Sequence, residues 1–198
     1  MLNLPNFLTL IRIATIPLFL VLLFSRYYTW ALIVFAFGGI TDALDGPVAR
    51  LTKQRTRLGA YLDPLADKLL IISSLVVLSH IGAAPAWFTI LILSRDLIIT
   101  LGYVTIYFWI QERMEIHPSI MGKSNTFLLL LTVTVILLSL YDPAIIPKSP
   151  LGMGSLRVTM LEFLILLTAL TTVISGLQYV YRGLVWLQDR VPGPPRTS

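Results

Sequence analysis

The chain has 198 residues, a length typical of one domain. Hydrophobic residues make up 56% of it and charged residues only 13%, against about 25% in an average soluble protein. This composition excludes a soluble enzyme, a disordered protein and a nucleic-acid-binding protein, and it predicts an integral membrane protein. The absence of cysteine excludes disulfide bonds, zinc–thiolate sites and cysteine nucleophiles. The net charge of +5 is typical of cytoplasmic loops that face lipid phosphates.

Apolar segments predict an all-α membrane protein with six transmembrane helices in a bundle. In chain order they cover residues 5–24, 30–51, 58–80, 86–110, 119–140 and 156–186, each close to the ~20 residues that a bilayer requires. No cleavable signal peptide is expected, because the first segment lacks a basic region before it. We predict one transmembrane domain over 1–187 and a flexible cytoplasmic tail, rich in proline, over 188–198.

Lysine and arginine in the connections predict the orientation of the helices. The order of the helices predicts two groups of basic residues. On one side of the membrane we expect Lys53, Arg55, Arg57, Arg113, Arg190 and Arg196, and on the opposite side Arg26, Lys148 and Arg157. The positive-inside rule places the more basic side in the cytoplasm. We therefore expect a multi-pass protein of the inner (cytoplasmic) membrane with both termini, and any active site near the basic loop, on the cytoplasmic side.

Four of the ten acidic residues lie in the second and third apolar segments: Asp42, Asp45, Asp63 and Asp67. A carboxylate within the membrane costs on the order of 2.5–3.5 kcal/mol, so four of them need cations or protons. The i, i+3 and i, i+4 spacings place each pair on one helix face. At 1.5 Å per residue, both pairs lie about 9–15 Å from the basic loop that joins the two helices. The four carboxylates are therefore expected to converge at one depth.

Clustered carboxylates without histidine or cysteine are typical ligands of Mg²⁺ or Mn²⁺, and four of them predict a site for two ions. The nearby basic residues are Arg12, Arg50, Arg95 and Lys123. Metal-binding carboxylates beside arginine and lysine are typical of phosphoryl chemistry on an anionic substrate.

Simpler interpretations remain open for several of these side chains. Arg95 is equally well explained as an ion-pair partner of Asp96 or as a substrate ligand. Lys123 and Arg50 are placed where lysine and arginine often extend to the membrane surface, and Arg12 is placed where it could contact lipid headgroups. Gly46 and Gly59 either leave room for a ligand or allow close helix packing.

Two other classes of protein compete with an enzyme. A cation transporter would place its acidic site near the bilayer midplane and would often contain internal repeats. The predicted cluster lies toward one side of the membrane, and the sequence has no evident repeat. A structural membrane subunit has no reason to bury four carboxylates at matched depths.

At these residues the sequence resembles the CDP-alcohol phosphotransferase (CDP-alcohol phosphatidyltransferase) family. The family pattern D-x2-D-G-x2-A-R-x8-G-x3-D-x3-D is complete here as Asp42, Asp45, Gly46, Ala49, Arg50, Gly59, Asp63 and Asp67. The remainder is similar to the family's phosphatidylglycerophosphate synthases, at Pro5-Asn6 with Thr9 and Arg12 and at Ser175-Gly176 before Tyr179 and Arg182.

The resemblance implies a family fold, a homodimer and a metal-dependent reaction. CDP-diacylglycerol would bind through Asp42, Asp45, Gly46, Ala49, Arg50, Gly59 and Asp63. An acceptor hydroxyl would attack its β-phosphorus and release CMP. By position, the four aspartates would bind metal, and Asp67 would also be the general base, a role that a carboxylate in contact with the hydroxyl can fill.

The acceptor predicted first is glycerol 3-phosphate, bound by Arg12, Arg95 and Lys123. The alternative is phosphatidylglycerol, as in the family's cardiolipin synthases. Glycerol 3-phosphate synthases tend to have a second arginine in the fourth span, where this chain has Gly102-Tyr103 and no second arginine, and a second lysine in the fifth, where it has Asn125. The forms Arg95-Asp96 and Lys123-Ser124-Asn125-Thr126 are more similar to cardiolipin synthases.

Overall fold

A computed structural model of the chain describes residues 4–51, 57–110, 120–142 and 160–190, and the side-chain surroundings within 10–41, 66–105, 121–142 and 160–188. Six helices form in these residues: α1 Leu4–Phe24, α2 Tyr28–Leu51, α3 Arg57–His80, α4 Ala86–Ile110, α5 Ile120–Tyr141 and α6 Met160–Arg190. The described residues contain no strand. The prediction of an all-helical protein with six helices is confirmed.

The helix ends agree with the prediction within four residues. The largest difference at a C-terminus is in α6, which continues to Arg190 although its apolar stretch was predicted to end at 186. Gln188, Asp189 and Arg190 are compatible with a helix, so the apolar stretch ends before the helix does. The proline-rich residues beyond Arg190, where the flexible tail is predicted, lie outside the described residues.

Two tight turns reverse the chain where α1 and α3 end. At the end of α3, the N–H groups of Gly82 and Ala83 donate to the carbonyls of Ser79 and Leu78, and Gly82 has φ of 75°. This is a Schellman motif, in which glycine adopts the left-handed conformation most easily. The end of α1 has the same hydrogen bonds with Arg26 at the left-handed position, φ 64°. An arginine there costs about 1–2 kcal/mol relative to a right-handed residue.

The helices form one bundle in which α1 packs against α2 and α3, α2 also against α5, and α6 against α4 and α5. An apolar core joins them. Its fully buried members include Phe19 and Leu23 of α1, Leu75 of α3, Phe88 of α4 and Val133 of α5. α6 thus contacts both α4 and α5, and α1 packs against α3.

The surface of the bundle is apolar, as expected of a protein in lipid. Leu18, Ile33, Phe127, Leu166 and Leu170 are among many large apolar side chains that are more than half exposed. Three described stretches, 86–105, 121–141 and 160–188, are long and apolar enough to cross a bilayer. Residues 10–24 and 28–41 form two further apolar stretches, shorter within the described part. The chain is an integral membrane protein.

Polar side chains occupy part of the interior of the bundle. Serine and threonine hydroxyls there donate to carbonyls one turn back on their own helix, as Ser74 does to Leu70 and Thr132 to Leu128. Thr132 of α5 and Thr168 of α6 also share a hydrogen bond of 2.8 Å across the helix interface. Hydrogen bonds of this kind hold helices together in a membrane, where apolar side chains gain little from leaving lipid.

Candidate functional site

The four motif aspartates lie on two helices that are joined through the basic segment 52–56. Asp42 and Asp45 are in α2, and Asp63 and Asp67 are in α3. The side chains of Asp42, Asp45 and Asp63 lie outside the described residues, as do those of Ala49 and Arg50. Gly46 and Gly59 lie in the same two stretches, where the surroundings are not described. The predicted convergence of the four carboxylates therefore stays a prediction.

Asp67 is the motif carboxylate whose surroundings are described. Nη1 of Arg12, in α1, donates a hydrogen bond of 3.0 Å to Oδ1 of Asp67. The two ends of this ion pair differ in exposure: the Arg12 side chain is 1% exposed and the Asp67 side chain 40%. Arg12 thus lies behind the carboxylate, in the interior, while the carboxylate keeps an accessible side.

The buried position of Arg12 beside Asp67 indicates a role in orienting that carboxylate. It was predicted to bind the acceptor, and the structure places it against the predicted general base. A guanidinium that is buried in this way fixes the direction of the carboxylate, because charge-assisted hydrogen bonds are short and directional. Contact between Arg12 and an acceptor stays a prediction.

Arg95 of α4 lies at the centre of a second polar group. Its Nη1 donates to Oδ1 of Asp96 at 2.6 Å and its Nη2 donates to Oγ of Ser175 in α6 at 2.8 Å. Its guanidinium carbon lies 5.7 Å from the ring centre of Tyr179, also in α6. Both interpretations offered for Arg95 therefore keep support: it pairs with Asp96, and it retains further donors.

Asp96 connects this group to α3. Its Oδ2 lies 3.9 Å from Nζ of Lys68, the residue that follows Asp67. The Lys68 side chain is 49% exposed, so this ion pair contributes little to stability. The ion pair matters for the geometry of the site, because it links the residue after Asp67 in α3 to the residue after Arg95 in α4.

Together these contacts form a charged belt that crosses the bundle from α1 through α3 and α4 to α6. The belt consists of five residues of alternating charge and one serine at its end. In order, they are Arg12, Asp67, Lys68, Asp96, Arg95 and Ser175. Asp67 lies in the half of α3 nearer to Arg57, and Arg95 lies in the half of α4 nearer to Ala86. Asp67 is about 15 Å along α3 from Arg57, and Arg95 is about 14 Å along α4 from Ala86.

The fifth helix contributes at one side of this region. Lys123 is exposed near the start of α5, and Asn125 is 2% exposed. Oδ1 of Asn125 accepts hydrogen bonds of 3.0 Å from Thr171 and 2.8 Å from Thr172 of α6. The amide at the position of the second lysine is thus used to join α5 to α6. Thr171 and Thr172 lie one turn before Ser175 on the same face of α6, so Asn125 and Arg95 contact neighbouring turns of that helix.

The structure adds residues that the sequence did not single out for a role. Ser175 and Tyr179 contact Arg95, and Thr171 and Thr172 contact Asn125. Their signal in the sequence was weak: Ser175-Gly176 and Tyr179 belong to the stretch that resembles the family, and nothing in their chemistry marks them. Only the packing of α6 against α4 and α5 brings them into this region.

The chemistry of the described donors is compatible with a divalent metal. Asp67 presents a carboxylate, the ligand type that Mg²⁺ and Mn²⁺ prefer. Within the described residues no group of three or more histidine, cysteine, aspartate or glutamate side chains comes together. A complete metal site would therefore need the other motif aspartates.

Comparisons with known proteins agree with this architecture. The family model described as CDP-alcohol phosphatidyltransferase matches residues 2–174. A Mycobacterium tuberculosis protein named "Probable phosphatidylglycerophosphate synthase" is 37% identical over 92% of this chain and 82% of its own length. A Bacillus subtilis CDP-diacylglycerol–glycerol-3-phosphate 3-phosphatidyltransferase is 33% identical over 70% of this chain and 78% of its own length.

A relative named for cardiolipin synthesis is also similar. The cardiolipin synthase (CMP-forming) of Streptomyces coelicolor is 36% identical over 70% of this chain and 66% of its own length. The match of the family model runs from α1 into α6 and includes the complete aspartate pattern and five of the six members of the charged belt, all but Ser175. The chain belongs to the CDP-alcohol phosphatidyltransferase family.

Proposed function

We propose that this membrane enzyme transfers a phosphatidyl group from CDP-diacylglycerol to glycerol 3-phosphate, with release of CMP and formation of phosphatidylglycerophosphate. The observation that carries the proposal is the belt, which links Asp67 of the family motif to Arg95 through Lys68 and Asp96. Similarity over 92% of the chain to a relative named for phosphatidylglycerophosphate synthesis supports this acceptor.

The proposed reaction is a substitution at phosphorus. The oxygen of an acceptor hydroxyl forms a bond to the β-phosphorus of CDP-diacylglycerol, the bond from that phosphorus to the oxygen of CMP breaks, and CMP leaves with the electron pair. The proton of the hydroxyl passes to the carboxylate of Asp67. Arg12 holds that carboxylate in place from the interior, since its side chain is 1% exposed and contacts Oδ1.

We propose Asp42, Asp45, Asp63 and Asp67 as the ligands of two divalent ions, Mg²⁺ or Mn²⁺. The family depends on divalent metals. Such ions would neutralise the charge that develops on the pyrophosphate oxygens. Gly46, Ala49, Arg50 and Gly59 complete the proposed site for CDP-diacylglycerol, as the family pattern implies.

Arg95 and Lys123 are the proposed ligands of the acceptor's phosphate. Arg95 is supported by its place in the belt and by its remaining N–H groups, since a guanidinium has five and two hydrogen bonds of Arg95 are described. Lys123 is supported by its exposed position in α5, two residues before Asn125, which contacts the same helix as Arg95.

Phosphatidylglycerol as the acceptor, giving cardiolipin, is the second candidate. One observation favours it: the position of the second lysine is occupied by Asn125, whose Oδ1 is bound by two threonines of α6. Tyr103 stands in place of the second arginine. A pocket with fewer cations suits a phosphodiester, which carries one negative charge, better than a phosphomonoester, which carries about two.

One experiment tests both candidates. The purified protein in detergent micelles with CDP-diacylglycerol is offered glycerol 3-phosphate or phosphatidylglycerol, with Mg²⁺, with Mn²⁺ or with EDTA. We expect CMP release and phosphatidylglycerophosphate by mass spectrometry with glycerol 3-phosphate, and no CMP with EDTA. Cardiolipin as the sole product would replace the first candidate by the second. No CMP with either acceptor would contradict the proposal.

We further propose a homodimer in the bacterial inner membrane with both termini and the active site in the cytoplasm. The support for a second copy is the resemblance to a family that forms homodimers, and α4, whose Leu97, Ile98 and Leu101 are 54–58% exposed, offers an apolar face for it. The chain has no cysteine, so single cysteines at Arg26 and Ser198 can report the two sides. A membrane-impermeant maleimide applied to intact cells should label the first and spare the second.

A further inference from the structure

Arg95 does not extend freely from α4 but is held along one turn of α6. Its side chain is 17% exposed, and its Nη2 donates to Ser175, a residue with no exposed surface. The ring of Tyr179 lies one turn further along α6, 5.7 Å from the guanidinium carbon. The guanidinium thus contacts a hydroxyl and lies near an aromatic ring, and both belong to one helix.

Gly176 makes this path possible. A Cβ atom added there would lie 3.2 Å from Cγ of Arg95, tighter than nearly all real contacts of this kind. The aliphatic part of Arg95 therefore crosses α6 where the helix has no side chain. At Gly102, the glycine of α4, an added Cβ would meet nothing within 4 Å.

One buried donor atom of Arg95 has no partner among the residues that the structure describes. The Nε atom is buried and has no hydrogen bond among the described residues. A buried charged donor without a partner is costly, and such a group in a native structure calls for a ligand or a functional reason. Nε–H and the neighbouring terminal N–H of a guanidinium form a fork that matches two oxygens of a phosphate.

We infer that Ser175, Gly176 and Tyr179 of α6 are positioning residues for the acceptor, because they hold Arg95 with its Nε edge directed to the acceptor's phosphate. This rests on the proposed function and deepens it. It makes α6, which carries none of the motif aspartates, a part of the substrate site. The phosphate is common to glycerol 3-phosphate and phosphatidylglycerol, so the inference holds for either.

The test compares Ser175→Ala and Gly176→Ala with Gly102→Ala as the matched control. For each purified variant one measures kcat, the KM of each substrate and the Tm, with both acceptors. We expect the KM of the acceptor to rise roughly tenfold in the two α6 variants, the effect of losing one hydrogen bond to a charged group. The KM of CDP-diacylglycerol should stay within about twofold, and Gly102→Ala should behave as the unmodified chain does.

Two variants of Tyr179 distinguish positioning of Arg95 by the aromatic ring from a role of the tyrosine hydroxyl. Tyr179→Phe keeps the aromatic face and should leave the acceptor's KM nearly unchanged, whereas Tyr179→Leu should raise it. Arg95→Ala should raise it more than any α6 variant. The dissociation constant of glycerol 3-phosphate alone, measured by calorimetry in the absence of CDP-diacylglycerol, should follow the same order.

The outcomes distinguish this inference from the proposed function. If Arg95→Ala raises the acceptor's KM and the α6 variants do not, the positioning role is wrong and the reaction stands. If the KM values of both substrates rise together with a lower Tm, α6 has a structural role only and the inference is wrong. If the protein binds glycerol 3-phosphate in this order without releasing CMP, the inference stands and the proposed reaction is wrong. If Arg95→Ala changes neither KM nor binding, the inference is wrong.

Discussion

The ion pair between Arg12 and Asp67 offers the sharpest test of the charged belt. We consider Arg12→Met, which keeps a long, flexible side chain of similar shape and removes the charge and the hydrogen bond of 3.0 Å. Breaking a buried ion pair by removing one partner costs about 3–5 kcal/mol. The carboxylate left behind is 40% exposed, so water can solvate it, and we take about 3 kcal/mol.

This magnitude predicts a measurable change in thermal stability. A chain of this length loses roughly 2–4 °C of Tm per kcal/mol, so Arg12→Met should lower Tm by about 6–12 °C. Because the carboxylate of Asp67 also loses its fixed direction, kcat should fall about ten- to hundredfold. Arg12→Lys keeps the charge without the planar fork and should restore part of both.

Lys68→Met is the matched control, since it also removes a cation beside an aspartate. Its ion pair with Asp96 is longer, 3.9 Å, and half-exposed, so the cost should stay below about 1 kcal/mol and the loss of Tm below about 4 °C. A loss for Arg12→Met no larger than that for Lys68→Met would refute the reasoning. Strictly additive effects of Arg12→Met and Asp67→Asn would refute it as well, because residues in contact should be coupled by more than about 0.5 kcal/mol.

Two further predictions concern Asp67 and Asn125. Asp67→Asn keeps an oxygen that can accept from Arg12 but removes the base, so CMP release should stop while Tm falls by no more than a few degrees and CDP-diacylglycerol still binds in a filter or calorimetric assay. Normal turnover would show that Asp67 is not the base. Asn125→Ala removes the oxygen that accepts hydrogen bonds from Thr171 and Thr172. Both hydroxyls can still donate to the carbonyl of Thr168. It should cost about 1 kcal/mol, or 2–4 °C of Tm, with the acceptor's KM unchanged. A raised KM would place Asn125 in the acceptor site.

The positions of the helices were predictable because the membrane imposes them. A segment that crosses the bilayer must satisfy its backbone hydrogen bonds within itself and must be apolar over ~20 residues, so hydropathy alone identifies it. The N-terminal limits of α2 and α4 and the C-terminal limits of α1 and α3 were predicted within two residues. The end of α6 was predicted short, because a helix can continue into water after the apolar stretch has ended.

The role of Arg12 could not be predicted in the same way. In the sequence it is one of several basic residues near an acidic motif, and 55 residues separate it from Asp67. Only the packing of α1 against α3 shows that its side chain is buried and directed to that carboxylate. The same holds for Asn125, whose amide seemed to be a lost cation of the acceptor site and is instead a contact between α5 and α6.

The sequence by itself determined the six helices, the membrane location and the family, because hydropathy and an eight-residue pattern depend only on the order of residues along the chain. The tertiary structure decided which charges meet. Arg12 with Asp67, Arg95 with Ser175 and Asn125 with Thr172 are pairs between helices far apart in sequence, and helix packing alone brings such groups within hydrogen-bond distance.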